Sequence, residues 1–269
     1  MSRPAAIALA SALLTSSCAG PLMKLPKGPG VPVSDTSSAL DQALARCRGV
    51  TTMSAEVALT GTVGGHRTRA RLVVGVAAPD STYIEAPALF GAPIFLFSAR
   101  GEDATLLLPR DRRALEHGRA AEVLEAIAGV PLTTADLHAT LTGCAPGTPG
   151  PGEQRGADWR VVPGDRQLYL KREGASGPWR LVAVLYRAPG EGAWRAEYRD
   201  FQGNLPRTLR LISSDAKRFD LRLALSQVGV NAPLDPATLQ VQVPPGVGPL
   251  TIEQLREAGP LADRSPGTP

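Results

Sequence analysis

Aromatic residues, cysteines and histidines are all scarce in this 269-residue sequence. Only 4% of the residues are aromatic, and the three histidines, His66, His117 and His138, lie far apart in the chain. Isolated histidines exclude metal-binding motifs of the His-Glu-x-x-His type. The chain also lacks a Gly-x-Ser-x-Gly motif, a P-loop and a dinucleotide-binding glycine motif after a strand. We therefore predict that the protein is not an enzyme and holds no metal or cofactor.

Positive charge is only slightly in excess and is not concentrated. The chain has 29 Lys and Arg against 25 Asp and Glu, which leaves a net charge of +4. Most of the basic residues are scattered arginines, whereas nucleic-acid binding calls for a concentrated basic surface. The hydrophobic fraction of 43% and the charged fraction of 20% exclude a wholly disordered chain and a multi-span membrane protein. A soluble, monomeric domain that binds no nucleic acid is therefore expected.

The N-terminus has the order of segments that is typical of a secretory signal. Arg3 is followed by an apolar stretch at residues 5–14 and by the small polar residues 15–17. Ten apolar residues are too few to span a bilayer core of about 30 Å. We predict a signal peptide over residues 1–17.

The cysteine that follows this segment indicates a lipid attachment site. The sequence Leu14-Thr15-Ser16-Ser17-Cys18 resembles the lipobox of bacterial lipoproteins, although that pattern prefers Leu where Thr15 stands. The resemblance implies that Cys18 becomes the acylated N-terminus, with palmitate among its acyl groups. Residues 18–34 are rich in proline and glycine and are predicted to form a flexible, lipid-anchored tether. The alternative is an ordinary signal peptide with an incidental cysteine.

Two cysteines remain if Cys18 is acylated. An even number of cysteines in an oxidising compartment favours a disulfide between Cys47 and Cys144, which would close a loop of nearly 100 residues. Two buried free thiols are the alternative.

Apolar and polar residues alternate through most of the chain. The Gly64-Gly65 pair lies between two such runs and predicts a hairpin. We predict strands at residues 56–63, 67–76, 81–85, 94–99, 104–108, 112–116, 159–162, 167–172, 179–187, 194–201, 208–213 and 218–226. So many consecutive strands indicate a mainly β (α+β) protein with one curled, unclosed antiparallel sheet. The domain is expected to span residues 35–258, before a disordered tail at residues 259–269.

Two short helices interrupt the strands between residues 119 and 143. The first is expected to end at Gly129, and Thr133 with Asp136 forms a capping box for the second, which ends at Gly143. Further helices are predicted at residues 36–46 and 251–258, and residues 145–156 form an exposed loop.

The two helices of the interruption are expected to cover the concave side of the sheet. An apolar concave face under a helical lid can hold an apolar ligand. A filled core without a cavity is the alternative that the pattern leaves open. The predicted lining residues are Val123, Leu124, Ile127, Leu137, Leu141, Phe219, Leu221 and Leu223.

Three blocks of sequence together resemble the LolB family of outer-membrane lipoproteins, within the LolA/LolB superfamily. The first block runs from Ala86-Pro-Ala-Leu-Phe-Gly91 into Ile94-Phe-Leu-Phe97. The others are Glu122–Leu132 with Asp136–Gly143, and Trp194–Phe201 with Leu205-Pro206 and the closing strand through Leu225. The order and spacing of the blocks, rather than any one of them, carry the resemblance.

The resemblance implies an unclosed antiparallel barrel of about eleven strands with a helical lid, whose interior binds acyl chains. It implies a protein anchored in the outer membrane, facing the periplasm, that accepts acylated lipoproteins or other lipids from a LolA-like periplasmic carrier. In the family, one loop carries an exposed hydrophobic residue that touches the membrane. The matching loop here is Pro87–Gly91, with Leu89 and Phe90 as the membrane-facing residues. Packing of both side chains under the barrel rim is the alternative.

Two further interpretations stay open. Arg67, Arg69 and Arg71 share one face of a strand, which indicates a solvated face or, alternatively, attraction of lipid headgroups or an acidic carrier. A second hypothesis for the whole protein is a structural or assembly lipoprotein of the envelope, with a filled barrel whose outer surface binds a protein partner.

Overall fold

The structure, a computed structural model, describes residues 21–45, 47–145, 151–174, 176–188, 192–203 and 205–261. The predicted signal peptide, the predicted acylation site Cys18 and the last eight residues of the predicted tail lie outside these ranges. Within the ranges, no helix has the length and apolar character needed to cross a membrane.

The described residues form fifteen β-strands, four α-helices and one 3₁₀ turn. The first half contains β1 (Val31–Val33), α1 (Thr36–Leu44), β2 (Thr52–Val63), β3 (His66–Ala77), β4 (Ser81–Ala86), β5 (Phe95–Arg100), β6 (Asp103–Leu108), β7 (Arg113–Arg119), α2 (Ala120–Ala128) and α3 (Thr134–Thr142). The second half contains β8 (Gly152–Gln154), β9 (Trp159–Val162), β10 (Arg166–Arg172), β11 (Trp179–Ala188), β12 (Gly192–Arg199), β13 (Thr208–Ser213), β14 (Phe219–Val230), the 3₁₀ turn (Pro236–Leu239), β15 (Gly248–Pro249) and α4 (Ile252–Ala258).

All fifteen strands belong to one open sheet. Its order is β1-β8-β9-β10-β11-β12-β13-β14-β2-β3-β4-β5-β6-β7-β15, with β1 and β15 at the two edges. Every pairing is antiparallel except that of β15 with β7. The predicted fold class, an unclosed antiparallel barrel with helices, is confirmed. The strand count exceeds the twelve ranges predicted from alternation because β1, β8 and β15 add short pairings that leave no alternating pattern in the sequence.

The longest strands form where alternation is clearest. β2 and β3 pair along their whole length up to Val63 and His66, so the turn consists of Gly64 and Gly65 alone. Both glycines have positive φ, of 56° and 81°, as the twist-compatible two-residue hairpin turn requires. The predicted hairpin is confirmed.

The helices begin and end where the capping residues predict. Gly129 ends α2 with φ of 69°, and Gly143 ends α3 with φ of 67°. The Thr133 hydroxyl accepts a hydrogen bond from the backbone N–H of Asp136, and the Asp136 carboxylate accepts one from the backbone N–H of Thr133. The capping box therefore fixes the residue at which α3 begins.

A single large hydrophobic core lies between the concave face of the sheet and the helices. It combines inward residues of the central strands with the apolar faces of α1, α2, α3 and α4. A second, small cluster lies on the outer face, where Val161, Tyr169 and Ala183 are covered by Met23 and Leu25.

The N-terminal segment is more ordered than a flexible tether from Pro21 onward. Met23 donates its backbone N–H to Glu197 on β12, over a distance of 3.0 Å. Pro26 accepts a hydrogen bond from Arg155, and residues 31–33 pair with β8 as strand β1. Backbone pairing does not depend on side-chain alternation, which is why the proline-rich sequence did not predict it.

Candidate functional site

The structure brings all eight predicted lining residues into one core. Val123, Leu124 and Ile127 project from α2 and Leu137 and Leu141 from α3. They share a buried cluster with three side chains of β14, which are Phe219, Leu221 and Leu223. Each of the eight is no more than 9% exposed. The helices therefore pack directly on the sheet and leave the eight residues covered.

Covalent and ionic contacts hold the helical lid in place. A Cys47–Cys144 disulfide joins the chain just after α1 to the chain just after α3, with the Cα atoms 5.4 Å apart. The predicted disulfide is present in the structure, and closing a loop of 97 residues stabilises the fold by about 4–5 kcal/mol in the chain-entropy account. Arg218 donates to Glu125 at 2.7 Å and ties α2 to the start of β14.

A buried group of hydroxyls lies under α3 within this apolar core. Tyr186 on β11, Tyr198 on β12 and Thr140 on α3 are all buried, and their hydroxyls lie near one another without a well-formed hydrogen bond to any described residue. Burial raises the pKa of Tyr186 and raises that of Tyr198 well above its usual range, while the nearby Thr140 hydroxyl acts in the opposite direction for both. All three hydroxyls stay protonated at neutral pH and can donate hydrogen bonds.

The sequence analysis missed this group of hydroxyls. The one available signal was the inward phase of Tyr198, which alternates in step with Trp194 and Ala196 on β12. A tyrosine at an inward position brings its hydroxyl into the core, where a polar partner is expected.

The loop between β4 and β5 projects two large apolar side chains from the protein. Leu89 is 94% exposed and Phe90 is 89% exposed, so neither packs under the barrel rim. Gly91 provides the positive φ, of 77°, at the end of the turn. Arg110 donates to the carbonyl oxygens of Phe90 and Ala92, both at 3.1 Å, and fixes the backbone of the loop from the neighbouring β6–β7 turn. Two hydrogen bonds from Arg110 therefore fix the backbone of the apolar loop, which we define as residues Pro87–Gly91, while Leu89 and Phe90 are exposed to solvent.

Two surface grooves lie outside the core. One, of about 370 Å³, is bordered by charged side chains that include Lys171, Glu173 and Arg180. The other, of about 390 Å³, lies between β4, β5 and the segment that contains Leu234 and Leu239. Neither groove includes a predicted lining residue, so the candidate site remains the covered concave face and the apolar loop.

No protein-family model matches the chain, and no curated protein matches it in sequence. Among solved structures, it is similar to the LolA superfamily protein NE2245 from Nitrosomonas europaea, with a TM-score of 0.56 and 11% identity over 78% of this chain and 99% of that chain. The chain has the LolA-like fold. At this identity the likeness shows the fold alone, and the LolB resemblance stays a prediction.

Two further structures are similar with lower scores. A DUF1329 family protein from Desulfovibrio piger has a TM-score of 0.48 and 9% identity over 77% of this chain and 98% of that chain. A domain described as an outer membrane lipoprotein-sorting protein, from Vibrio parahaemolyticus, has a TM-score of 0.47 and 13% identity over 76% of this chain and 97% of that chain.

Proposed function

We propose that this protein is a lipid-anchored acceptor of acylated lipoproteins that faces the periplasm from the bacterial outer membrane. The observation that carries the proposal is the apolar loop, whose Leu89 and Phe90 are almost fully exposed at the rim of a lidded apolar core. Burying each side chain is worth about 1.5–3 kcal/mol, so two such side chains in water favour contact with an apolar partner.

The proposed action is transfer down a series of apolar sites, without making or breaking covalent bonds. A LolA-like periplasmic carrier presents the acyl chains, α2 and α3 move outward, and the chains occupy the space between these helices and β14. Acylated Cys18 keeps the domain at the bilayer, and the apolar loop contacts the membrane during release. Each step replaces water-exposed apolar surface with buried apolar surface.

The buried hydroxyls give the interior a polar end. The acyl chains of a lipoprotein are joined to its N-terminal cysteine through ester and amide groups. The carbonyl oxygens of these groups need hydrogen-bond donors once they leave water. Tyr186, Tyr198 and Thr140 offer three donors in the same part of the core. We assign them to the carbonyl groups of the bound acyl chains.

Native mass spectrometry of a protein of residues 19–269, which retains every described residue, tests uptake. We expect a 1:1 complex with a diacylated cysteine peptide and none with the same peptide lacking its acyl chains. If the protein takes up neither acylated peptide nor free fatty acid, the proposal that its core binds acyl chains is wrong. Tyr198→Phe should weaken the complex about fivefold through the loss of one hydrogen bond of about 1 kcal/mol.

Leu89→Glu with Phe90→Glu tests delivery separately. The double variant should take up acylated peptide as the wild type does and lose transfer to vesicles, because a charged loop cannot enter the membrane. Val31→Glu is a suitable control, since Val31 is 68% exposed and lies on the distant strand β1. Delivery by the double variant at the wild-type rate would remove the loop from the mechanism.

One observation favours a second candidate function. The lid helices pack on the sheet without exposing the lining residues, as they would in a filled barrel that serves as an envelope assembly lipoprotein. That protein would bind a protein partner through its outer surface and take up no acyl chain. The same mass spectrometry experiment separates the two functions.

A further inference from the structure

The outward face of β3 carries three arginines that no described residue neutralises. Arg67, Arg69 and Arg71 are exposed and alternate with inward side chains such as Leu72. No hydrogen bond or ion pair joins their guanidinium groups to any described residue. We call these three residues the arginine face.

The strand next to the arginine face offers no compensating charge. On β2, the residues directly opposite Arg67, Arg69 and Arg71 are Thr62, Thr60 and Ala58, which are all neutral. Beyond β2, Arg222 on β14 lies opposite Thr60, and Asp220 lies opposite Thr62 with both carboxylate oxygens accepting hydrogen bonds from Arg210. Like charges side by side on a sheet repel one another, so this arrangement costs stability unless an external anion balances it.

The arginine face lies beside the apolar loop. The last pair between β3 and β4 is Val73 with Glu85, so the chain leaves β4 at Ala86 and starts the loop level with Arg71. Neighbouring strands are about 5 Å apart, so the loop that carries Leu89 and Phe90 starts beside Arg71, at the same end of the sheet as the arginine face. Arg110, which holds the loop from its other side, adds positive charge there.

The acidic residues of β2 and β4 lie past the arginines rather than among them. Glu56 and Glu85 flank Val73, one position further along the outer face from Arg71 and on the side away from the hairpin turn. The Glu85 carboxylate accepts a hydrogen bond from Tyr83, on its own strand, at 3.1 Å. At the hairpin end, β2 and β3 therefore present arginines and no carboxylate.

We propose that the arginine face and the apolar loop form one docking surface for anionic phospholipid headgroups. This inference rests on the proposed function, because it names the lipid class that the apolar loop meets. Exposed Leu and Phe beside unpaired arginines combine apolar insertion with attraction to an anionic surface. A protein partner with an acidic surface would satisfy the arginines but would leave the two apolar tips without a bilayer to enter.

Co-sedimentation of residues 19–269 with vesicles tests the docking surface. We expect binding to phosphatidylcholine vesicles that contain phosphatidylglycerol, much weaker binding to phosphatidylcholine alone, and loss of binding as salt rises. The triple variant Arg67→Gln, Arg69→Gln, Arg71→Gln should bind the anionic vesicles on the order of 100-fold more weakly, since each arginine near a charged surface contributes about fivefold.

A matched control keeps the net charge change equal. The variant Arg119→Gln, Arg187→Gln, Arg256→Gln removes three exposed arginines elsewhere and should bind anionic vesicles within about twofold of the wild type. Equal losses in the two triple variants would reduce the effect to net charge and overturn the proposal. Equal binding to vesicles with and without phosphatidylglycerol would also overturn the proposal. An acidic protein would then be the remaining partner for the arginines.

The two proposals fail in different ways. If the protein takes up acylated peptide but binds anionic and neutral vesicles equally well, only the docking surface is overturned. Charge-dependent vesicle binding by a protein that never takes up an acylated peptide overturns only the proposed function. Circular dichroism of the triple variant should match that of the wild type, because its three side chains make no contact that folding requires.

Discussion

The outer face of the sheet has two halves, which differ in how many of their arginines are paired with carboxylates. In the covered half, strands β8 to β13 include those under the N-terminal segment, and most of their arginines, such as Arg160, Arg195 and Arg210, are paired with carboxylates. In the bare half, β14, β2 and β3 face solvent and carry Arg222 and the arginine face without acidic partners. The same residue type therefore stabilises the fold in one half and is left available for binding in the other.

Glu197 shows how the covered half is built. Its side chain is 0% exposed and lies between Arg195, at 2.6 Å, and Arg199, at 3.1 Å. It also accepts the backbone N–H of Met23, while Arg199 donates to the carbonyl of Pro21 at 2.6 Å. One buried carboxylate thus joins two arginines to the incoming chain and fixes the first described residues beside β12.

The largest expected effect comes from removing this carboxylate charge. Glu197→Gln leaves Arg195 and Arg199 uncompensated beneath the N-terminal segment and should lower the free energy of unfolding by about 3–5 kcal/mol, as measured by urea denaturation. Glu56→Gln, at an exposed position on β2 in the bare half, should change it by less than about 0.5 kcal/mol. If Glu197→Gln and Glu56→Gln lowered the free energy of unfolding equally, the two halves would not differ in how their charges contribute to stability.

Arg210 and Arg222 allow the sharpest paired test, because they lie directly opposite each other on β13 and β14. Arg210 donates to both carboxylate oxygens of Asp220, at 2.8 and 2.7 Å, which raises its pKa, whereas Arg222 has no such partner among the described residues. Arg210→Gln should cost about 2 kcal/mol in urea denaturation.

Arg222→Gln should leave stability within about 0.5 kcal/mol of the wild type or raise it, because it relieves repulsion from Arg210 and the arginine face. A loss with Arg222→Gln as large as that with Arg210→Gln would show that both arginines are structural.

A smaller effect is expected from loosening the N-terminal segment. Met23→Ser removes part of the apolar cover over Ala183 and Tyr169 and should cost about 1 kcal/mol. Hydrogen exchange should increase in β11 and β12 but not in β3. Leu22→Ser is the control, since Leu22 is 42% exposed and its loss should have little effect.

The smallest effect concerns the ion pair at the start of α1. Arg160 donates to both carboxylate oxygens of Asp35, at 2.8 and 2.7 Å, and this contact lowers the pKa of Asp35. A lowered folded-state pKa stabilises the fold at neutral pH, and the contribution disappears as the pH falls below roughly 4. Asp35→Asn should therefore cost about 1 kcal/mol or less at pH 7, because the carboxylate is half exposed.

Unfolding at a series of pH values checks this last prediction. The difference between wild type and Asp35→Asn should close as the pH is lowered through this range. A difference that is constant with pH would mean that the variant acts through something other than the carboxylate charge.

Side-chain patterns predicted the parts of the fold in which side chains alternate or cap. Thr133, Asp136 and Gly143 define α3 in the sequence as in the structure, and the Gly64-Gly65 turn sets the register of the longest hairpin. The burial of Phe219, Leu221 and Leu223 was predictable because inward positions of β14 repeat every second residue.

The covered half was not predictable from the same patterns. Strands β1 and β8 pair through their backbone groups. Their proline- and glycine-rich sequence has no alternation of apolar and polar side chains from which a strand could be predicted. Glu197 occupies an outward position on β12, where a charge is expected in water, and its burial depends on a segment more than 170 residues away. Contacts of that range are set by the whole fold rather than by local sequence.

Photo-crosslinking with a diazirine-bearing diacylated cysteine peptide tests the central claim most directly, because it reports where the acyl chain lies. We predict that mass spectrometry of the crosslinked protein finds adducts on α2, α3 and the inward side of β14, at residues such as Leu124, Leu141 and Leu221. Adducts confined to the outer face, or absent altogether while the protein remains folded, would contradict an acyl-binding interior.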